Sequence, residues 1–248
     1  MTTLGLQLYS VREEAERNLL GTLAQVAAMG YEAVQFAGFF GIAAGDIRET
    51  LDANGLKRAG SHIPIDQWAQ VDEIFSYHDQ IGNPLLICPY LPEEMRQSAD
   101  DYHRLAERFN AIGRQCHNAG FQFAYHHHDF EFQVFDDTTG FEILFNETDP
   151  AWVKLELDVY WVHYTGRKAA TLMDQYADRL VSLHLKDLKQ TVNNTVSTEV
   201  GAGQLDFPTI IEKGKERGVE WFTVEQEHFT EVPLVHVERS VKHLRTMV

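Results

Sequence analysis

Cysteine is scarce. Cys88 and Cys116 are the only two. They are too few for a disulfide framework or a thiolate zinc cluster, and a reducing, cytoplasmic setting fits them. Long apolar runs are absent as well. The longest, around Phe36 to Ala44, falls short of the roughly 18 residues a membrane span needs. The opening Met-Thr-Thr-Leu-Gly has no basic region followed by an apolar stretch, so no signal peptide is expected. Positive charge is also short, with 21 Lys and Arg against 37 Asp and Glu, a formal charge of −16. A surface that acidic repels phosphate backbones and anionic lipid, which argues against nucleic acid and membrane partners. It also disfavours a highly phosphorylated substrate, unless a local basic pocket overrides it. A homo-oligomer remains compatible with it, because an acidic surface need not extend over a subunit interface.

What the chain does have is an alternation of short apolar strands and longer amphipathic helices, with a period of roughly 30 residues. Strands are expected at Leu4–Leu8, Ala33–Phe36, Leu56–His62, Leu85–Cys88, Phe121–His128, Val153–Asp158, Leu180–Leu185 and Trp221–Glu225. Helical patterns fill Leu19–Met29, Gly45–Asn54, Asp66–Ile81, Ala99–Ala119, Thr139–Asn146, Lys168–Ala177, Pro208–Arg217 and Val235–Thr246. Gly30, Gly55, Gly120 and Gly218 stand where a helix would end before a strand, the place for a left-handed cap. No linker or low-complexity tract interrupts the 248 residues, and single barrels commonly reach about 250. The expectation is an α/β chain with one domain over 1–248, a (β/α)₈ barrel. An open doubly wound sheet gives no reason for eight units.

Side-chain parity supports closure, because strand residues alternate between two faces. Phe121, Phe123 and Tyr125 oppose Gln122, Ala124 and His126. Leu155 and Leu157 oppose Glu156 and Asp158; Val181, Leu183 and Leu185 oppose Ser182 and His184; Phe222 and Val224 oppose Thr223 and Glu225. The large apolar set faces the helices, and the small or polar set fills the barrel. In such barrels the active site lies at the C-terminal mouth. The strand ends there carry Gln7 and Tyr9, Gln35, His62, Cys88, His126 and His128, Asp158, His184 and Glu225.

Asp158, His184 and Glu225 come from three consecutive strands. Two carboxylates and an imidazole suit a divalent ion, Mn²⁺, Co²⁺, Zn²⁺ or Mg²⁺, with positions left for substrate oxygens. Each has a plainer role: Asp158 as a helix cap, His184 as a satisfied core histidine, Glu225 as a partner of Lys186. His126 and His128 face the mouth by parity, and His127 faces the helices. Glu131 either folds back over the site or is a solvated loop acid. His62 is a candidate for substrate binding or proton transfer. Trp161 reads more as packing than as a sugar platform, and Cys88 as a small core residue.

Several stretches together resemble the sugar phosphate isomerase/epimerase superfamily, with its xylose isomerase-like barrel. They are Leu6-Gln7-Leu8-Tyr9-Ser10-Val11-Arg12, Gly60-Ser61-His62, Tyr125 to Phe132, Leu155 to Trp161, His184-Leu185-Lys186-Asp187, Val200 to Gly203, and Val224-Glu225-Gln226. The resemblance runs essentially end to end. It implies a divalent metal held by a Glu, an Asp, a His and a Glu from the fifth to eighth strands. The last three fall on Asp158, His184 and Glu225. The first does not, because His126-His127-His128 stands where many members read Glu-Asn-His. Either His126 or Glu131 then takes the fourth place. The Tyr-His-x-His pattern is nearer the inosose dehydratase-like and keto-sugar branches.

The expected chemistry is removal of a proton beside a substrate carbonyl polarised by the ion. Glu225, His62 or His126 are candidate bases. Gln7, Tyr9, Arg12, His62, His128 and Lys186 are candidates to hold substrate oxygens, and the 186–206 loop is a candidate lid. Isomerisation or epimerisation of a sugar is the first reading. Elimination from a keto sugar, keto glycoside or keto inositol is the second, and a non-catalytic sugar binder the third. A DNA-repair nuclease, which shares this fold family, conflicts with the charge and lacks ligands for three zinc ions.

Overall fold

A computed structural model describes residues 2–248. Eight parallel strands close into a barrel: β1 Thr3–Gln7, β2 Ala33–Phe36, β3 Lys57–His62, β4 Leu85–Cys88, β5 Gln122–His126, β6 Val153–Asp158, β7 Leu180–Leu185 and β8 Trp221–Val224. Each pairs with its neighbours in chain order, and β8 pairs back to β1. Among the described residues nine α-helices run between and after them: α1 Arg12–Met29, α2 Ala44–Ala53, α3 Val71–Ile81, α4 Ala99–Asn118, α5 Gly140–Glu147, α6 Val159–Tyr164, α7 Ala169–Gln175, α8 Phe207–Glu216 and α9 Pro233–Leu244. The expected (β/α)₈ barrel is therefore the observed one. No helix among the described residues is long and apolar enough to cross a membrane.

Parity positions the site. Leu4, Leu6, Val34, Leu86, Phe123, Tyr125, Leu155, Leu183 and Phe222 join one buried cluster with the helices. A second, smaller cluster of Ala33, Ala59, Leu85, Ile87, Ala124 and Trp221 plugs the barrel below the mouth. Alternation slips at two bulges. Val34 pairs with Arg58, but Phe36 pairs with Ser61. The extra residue lies beside Gly60, whose φ of +121° favours glycine. The bulge lets Ala59 join the inner plug while His62, three residues on, reaches the mouth. At β6–β7, Leu155 pairs with Leu180 but Glu156 with Ser182. Val181 therefore packs against the inner plug rather than the helix layer, contrary to the simple alternation.

Some boundaries differ from expectation. Helix α1 starts at Arg12, ahead of the expected Leu19, because its first turns are polar and gave no apolar period to read. It breaks at Asn18, whose Oδ1 accepts from Gly21 N at 3.0 Å. The segment before α3 is a 3-10 turn at Gln67–Ala69. β5 ends at His126, two residues early. The 186–206 loop is a built structure. Asp187–Gln190 and Thr195–Thr198 form an antiparallel hairpin. The Asp187 carboxylate accepts from the backbone N–H of Leu188, Gly201, Gly203 and Leu205 at 2.8–3.1 Å.

Gly60→Ala should lower stability by about 1–3 kcal/mol, because a side chain at a left-handed residue is strained. Urea unfolding measures it, and an unchanged midpoint would show the bulge to be dispensable.

Candidate active site

The barrel mouth is organised around Glu156, which is fully buried. Its Oε1 receives three imidazole nitrogens: His62 Nε2 at 2.8 Å, His126 Nδ1 at 3.2 Å and His184 Nε2 at 3.0 Å. Gln35 Nε2 donates to its Oε2 at 2.6 Å. Gln35 Oε1 lies 2.7 Å from His184 Nε2 and accepts from Gln7 Nε2 at 2.6 Å. Burial opposes the charge on Glu156, but the His184, His126 and His62 contacts outweigh it and hold the carboxyl well below its usual range.

Above this layer stand Asp158, His184 and Glu225. Strand register sets His184 level with Asp158 on one side and Thr223 on the other. His184 Nδ1 is 3.3 Å from Glu225 Oε2. Burial works against a charged His184, yet Glu156 and Glu225 prevail and raise it to about 10. Asp158 does cap α6, its Oδ1 accepting from Tyr160 N at 2.8 Å and Trp161 N at 3.3 Å. Its Oδ2 is buried and has no hydrogen-bond partner. Burial pushes its carboxyl up to about 7, against the pull of Lys186 and His184.

Two groups of side chains each place one ligand atom apiece within 4.8 Å of one another: His126, Asp158, His184 and Glu225, and His62, His126, Glu156 and His184. The first group contains the three expected ligands and the fifth-strand imidazole. A divalent ion fits it. The donors are carboxylates and imidazoles, and the Asp158 Oδ2, which makes no hydrogen bond and has only the Lys186 ammonium 4.0 Å away, is free to take a cation.

Glu131 belongs to neither group. It stays buried on the helix side of β5, accepting from the Tyr125 hydroxyl and from His128 N at 2.8 Å. Burial raises its carboxyl to about 7. His127 also faces outward. Its Nε2 accepts from Asp158 N at 3.2 Å, and burial lowers it to about 3, so it is a neutral acceptor. Cys88 lies in the helix-side core, where burial pushes the thiol up to about 12.

Lys186 is fully buried rather than in the cleft wall. Its ammonium pairs with Glu227, with Glu225 at 3.4 Å and with Asp158 at 4.0 Å, and lies 4.9 Å from the Trp161 ring centre. Burial opposes its charge, but these carboxylates outweigh it and raise its pKa. Arg12 turns to the Tyr9 carbonyl and ring and does not line the cleft; Gln7 lies below it.

The cleft itself has a volume of about 390 Å³. His62, His126, His128, Glu225 and Glu227 supply its polar wall, and Tyr9, Tyr90 and Trp161 its aromatic one. His128 Nδ1 and Trp161 Nε1 are buried without partners, their rings 5.4 Å apart. Glu156 and Glu227 are the residues sequence reasoning passed over; Gln35 was placed at the mouth but given no role. Parity had turned Glu156 inward, but its position one layer below the strand ends hid its role.

The model of the family described as "Xylose isomerase-like TIM barrel" matches residues 23–247. The chain belongs to that family. An inosose dehydratase of Lacticaseibacillus casei is 30% identical over 144 residues, 52% of this chain and 48% of that protein. The chain's match thus spans about half the length of that curated relative. An inosose dehydratase of Geobacillus kaustophilus is 25% identical over 215 residues, covering 77% and 68% of the two chains. The crystal structure of a sugar phosphate isomerase/epimerase from Parabacteroides distasonis superposes with a TM-score of 0.82 at 26% identity, covering 98% of this chain and 93% of that one.

Glu156→Gln should cost about 3–5 kcal/mol at pH 7, since it leaves paired imidazoles without their carboxylate. A carboxylate held low when folded stabilises above its unfolded value of 4.5, and that gain fades as pH falls through the folded value. The deficit in denaturant unfolding of the chelator-treated protein should therefore shrink in acid. A pH-independent deficit would indicate a purely steric effect.

Proposed function

We propose that this chain is a divalent-cation-dependent enzyme acting on an unphosphorylated keto sugar or cyclitol ketone. It removes the proton beside the carbonyl and then expels a β-hydroxyl as water. The observation that carries this reading is the His126–Asp158–His184–Glu225 group at the floor of a cleft lined by His62. Bound there, a divalent ion supplies a Lewis acid that draws off the charge growing on the carbonyl oxygen.

The chain's own residues do the rest. His62 Nε2 donates to Glu156, so its proton lies on that nitrogen and Nδ1 carries the lone pair. Nδ1 has no protein partner and belongs to a ring lining the cleft, which makes His62 the base. Glu156 stabilises the imidazolium that forms. The same imidazolium returns its proton to the leaving hydroxyl, giving water and an α,β-unsaturated ketone. The unpartnered Trp161 N–H and His128 Nδ1 are suited to a substrate hydroxyl, one donating and one accepting.

One base supports elimination, or return of the proton to a neighbouring carbon. Inversion at one carbon needs a second base on the other face, and the fifth strand offers His126 where relatives of the epimerase pattern hold a carboxylate. The dehydratase names of the sequence relatives point the same way. Isomerisation is the second reading, favoured by the Parabacteroides neighbour. None of the described residues lining the cleft is Lys or Arg, which favours a substrate without phosphate.

Untagged protein purified without chelators should contain near one equivalent of a divalent metal by mass spectrometry, lost in His184→Ala. No metal, with no stabilisation by Mn²⁺, Co²⁺ or Zn²⁺, would sink the reading. In deuterated water, keto sugars should take up label or accumulate an unsaturated product. His62→Gln should slow this about 10²–10⁴-fold with metal retained; an undiminished rate would remove His62 from the chemistry.

Binding of the ion should release protons, because His184 titrates near 10 and Asp158 near 7 in its absence. Affinity should therefore weaken as pH falls below about 10, and more steeply below about 7. Calorimetry in two buffers of different ionisation enthalpy counts the protons, and no dependence on buffer would count against these ligands.

A further inference from the structure

A second cavity, of about 560 Å³, opens between the 37–43 segment after β2 and helix α3. It shares Ala37, His62 and Pro64 with the cleft described above, so the two adjoin at His62. Its inner walls are apolar and aromatic, formed by Phe39, Ile42, Ile63, Ile74 and Tyr77. The wall is held in shape: Phe39 packs on Tyr77 at 4.7 Å between ring centres, and the Tyr77 hydroxyl donates to Ile42 O at 2.5 Å.

One polar atom stands out there. His78 lines the cavity and is 3% exposed. Its Nδ1 donates to Ile74 O at 2.7 Å, so Nε2 carries a lone pair. That Nε2 is buried and has no partner. An unpaired buried acceptor is costly, and a hydroxyl from a ligand would satisfy it. Gln67 and Gln70 lie at the exposed rim.

We propose that this cavity is a subsite for an aryl ring attached to the sugar, with a ring hydroxyl donating to His78 Nε2. The proposal extends the functional reading above, in that the sugar occupies the cleft and the aryl group passes His62 into the second cavity. Flat aromatic and aliphatic walls favour an aryl ring over a second sugar, whose many hydroxyls would find a single buried acceptor.

The test uses glucosides that carry no carbonyl, so binding is read apart from turnover. Calorimetry compares methyl, phenyl and 4-hydroxyphenyl β-glucoside on the full chain. Phenyl glucoside should bind at least about tenfold more tightly than methyl glucoside, consistent with ring burial, and the 4-hydroxyphenyl compound more tightly again. Gln67→Trp, at the exposed rim, should erase the aryl preference and leave methyl glucoside unchanged. His78→Phe should erase only the advantage of the ring hydroxyl. Equal affinities for the three glucosides, no binding of any, or an aryl preference untouched by Gln67→Trp would overturn the subsite. Aryl preference without proton exchange of keto sugars would instead overturn the catalytic reading and leave the subsite standing.

Discussion

A single buried carboxylate, Glu156, fixes the geometry of the barrel mouth. Three imidazoles from three different strands meet on one of its oxygens, and a glutamine from a fourth holds the other. Burying a carboxylate is costly unless every lone pair is engaged. Here the engagement orients the groups above it. His184 gives Nε2 to Glu156 and Gln35, so its Nδ1 faces Glu225. His62 gives Nε2 to the same oxygen, so its Nδ1 is left for the cleft. Which ring nitrogen faces the cleft or the candidate ligand group is thus set one layer below the mouth, as outer partners do for metal-binding histidines.

The loops repeat this logic with backbone donors. Asp187 gathers four N–H groups from the segment after β7, and close contacts to its carboxylate leave no room for a side chain at Gly203. Ser197, on the hairpin, accepts from Glu227 N and His228 N. Glu227 in turn pairs with Lys186. The segment read from sequence as a lid is therefore fastened to the strand-8 side of the mouth, where it sets the position of a buried ammonium.

The barrel was legible because its physics is local. Alternating apolar residues, glycines at helix ends and one-letter parity at strand ends all survive in a single sequence. Asp158, His184 and Glu225 came together for the same reason, being strand-end residues of like parity. What was not legible depended on non-local contacts. His62 was read at the mouth, where it lies, but the bulge at Gly60 that brings both it and Ala59 inward shows only in the cross-strand partners. Glu156 looked like one more inward side chain until three imidazoles converged on it. The Glu131 carboxylate was diverted from the mouth by a tyrosine six residues earlier, Tyr125, that faces the helices. Lys186 read as a substrate contact because strand parity says nothing of the carboxylates that bury it.

Charge weighs on the substrate class proposed for this mouth. Glu156, Asp158, Glu225 and Glu227 crowd around one ammonium, Lys186, and one imidazole raised in basicity, His184. Even with both cations present, four carboxylates outnumber them by two charges. A divalent ion would narrow that gap to one charge once His184 gives up its proton, and would relieve Asp158, which titrates near 7 without it. An anionic substrate would widen the gap again, in a protein whose whole surface already carries an excess of negative charge. A neutral polyol ketone does not. It can offer oxygen to a cation and hydroxyls to Trp161 and His128, and it asks for no arginine or lysine in a cleft wall that has none among the described residues.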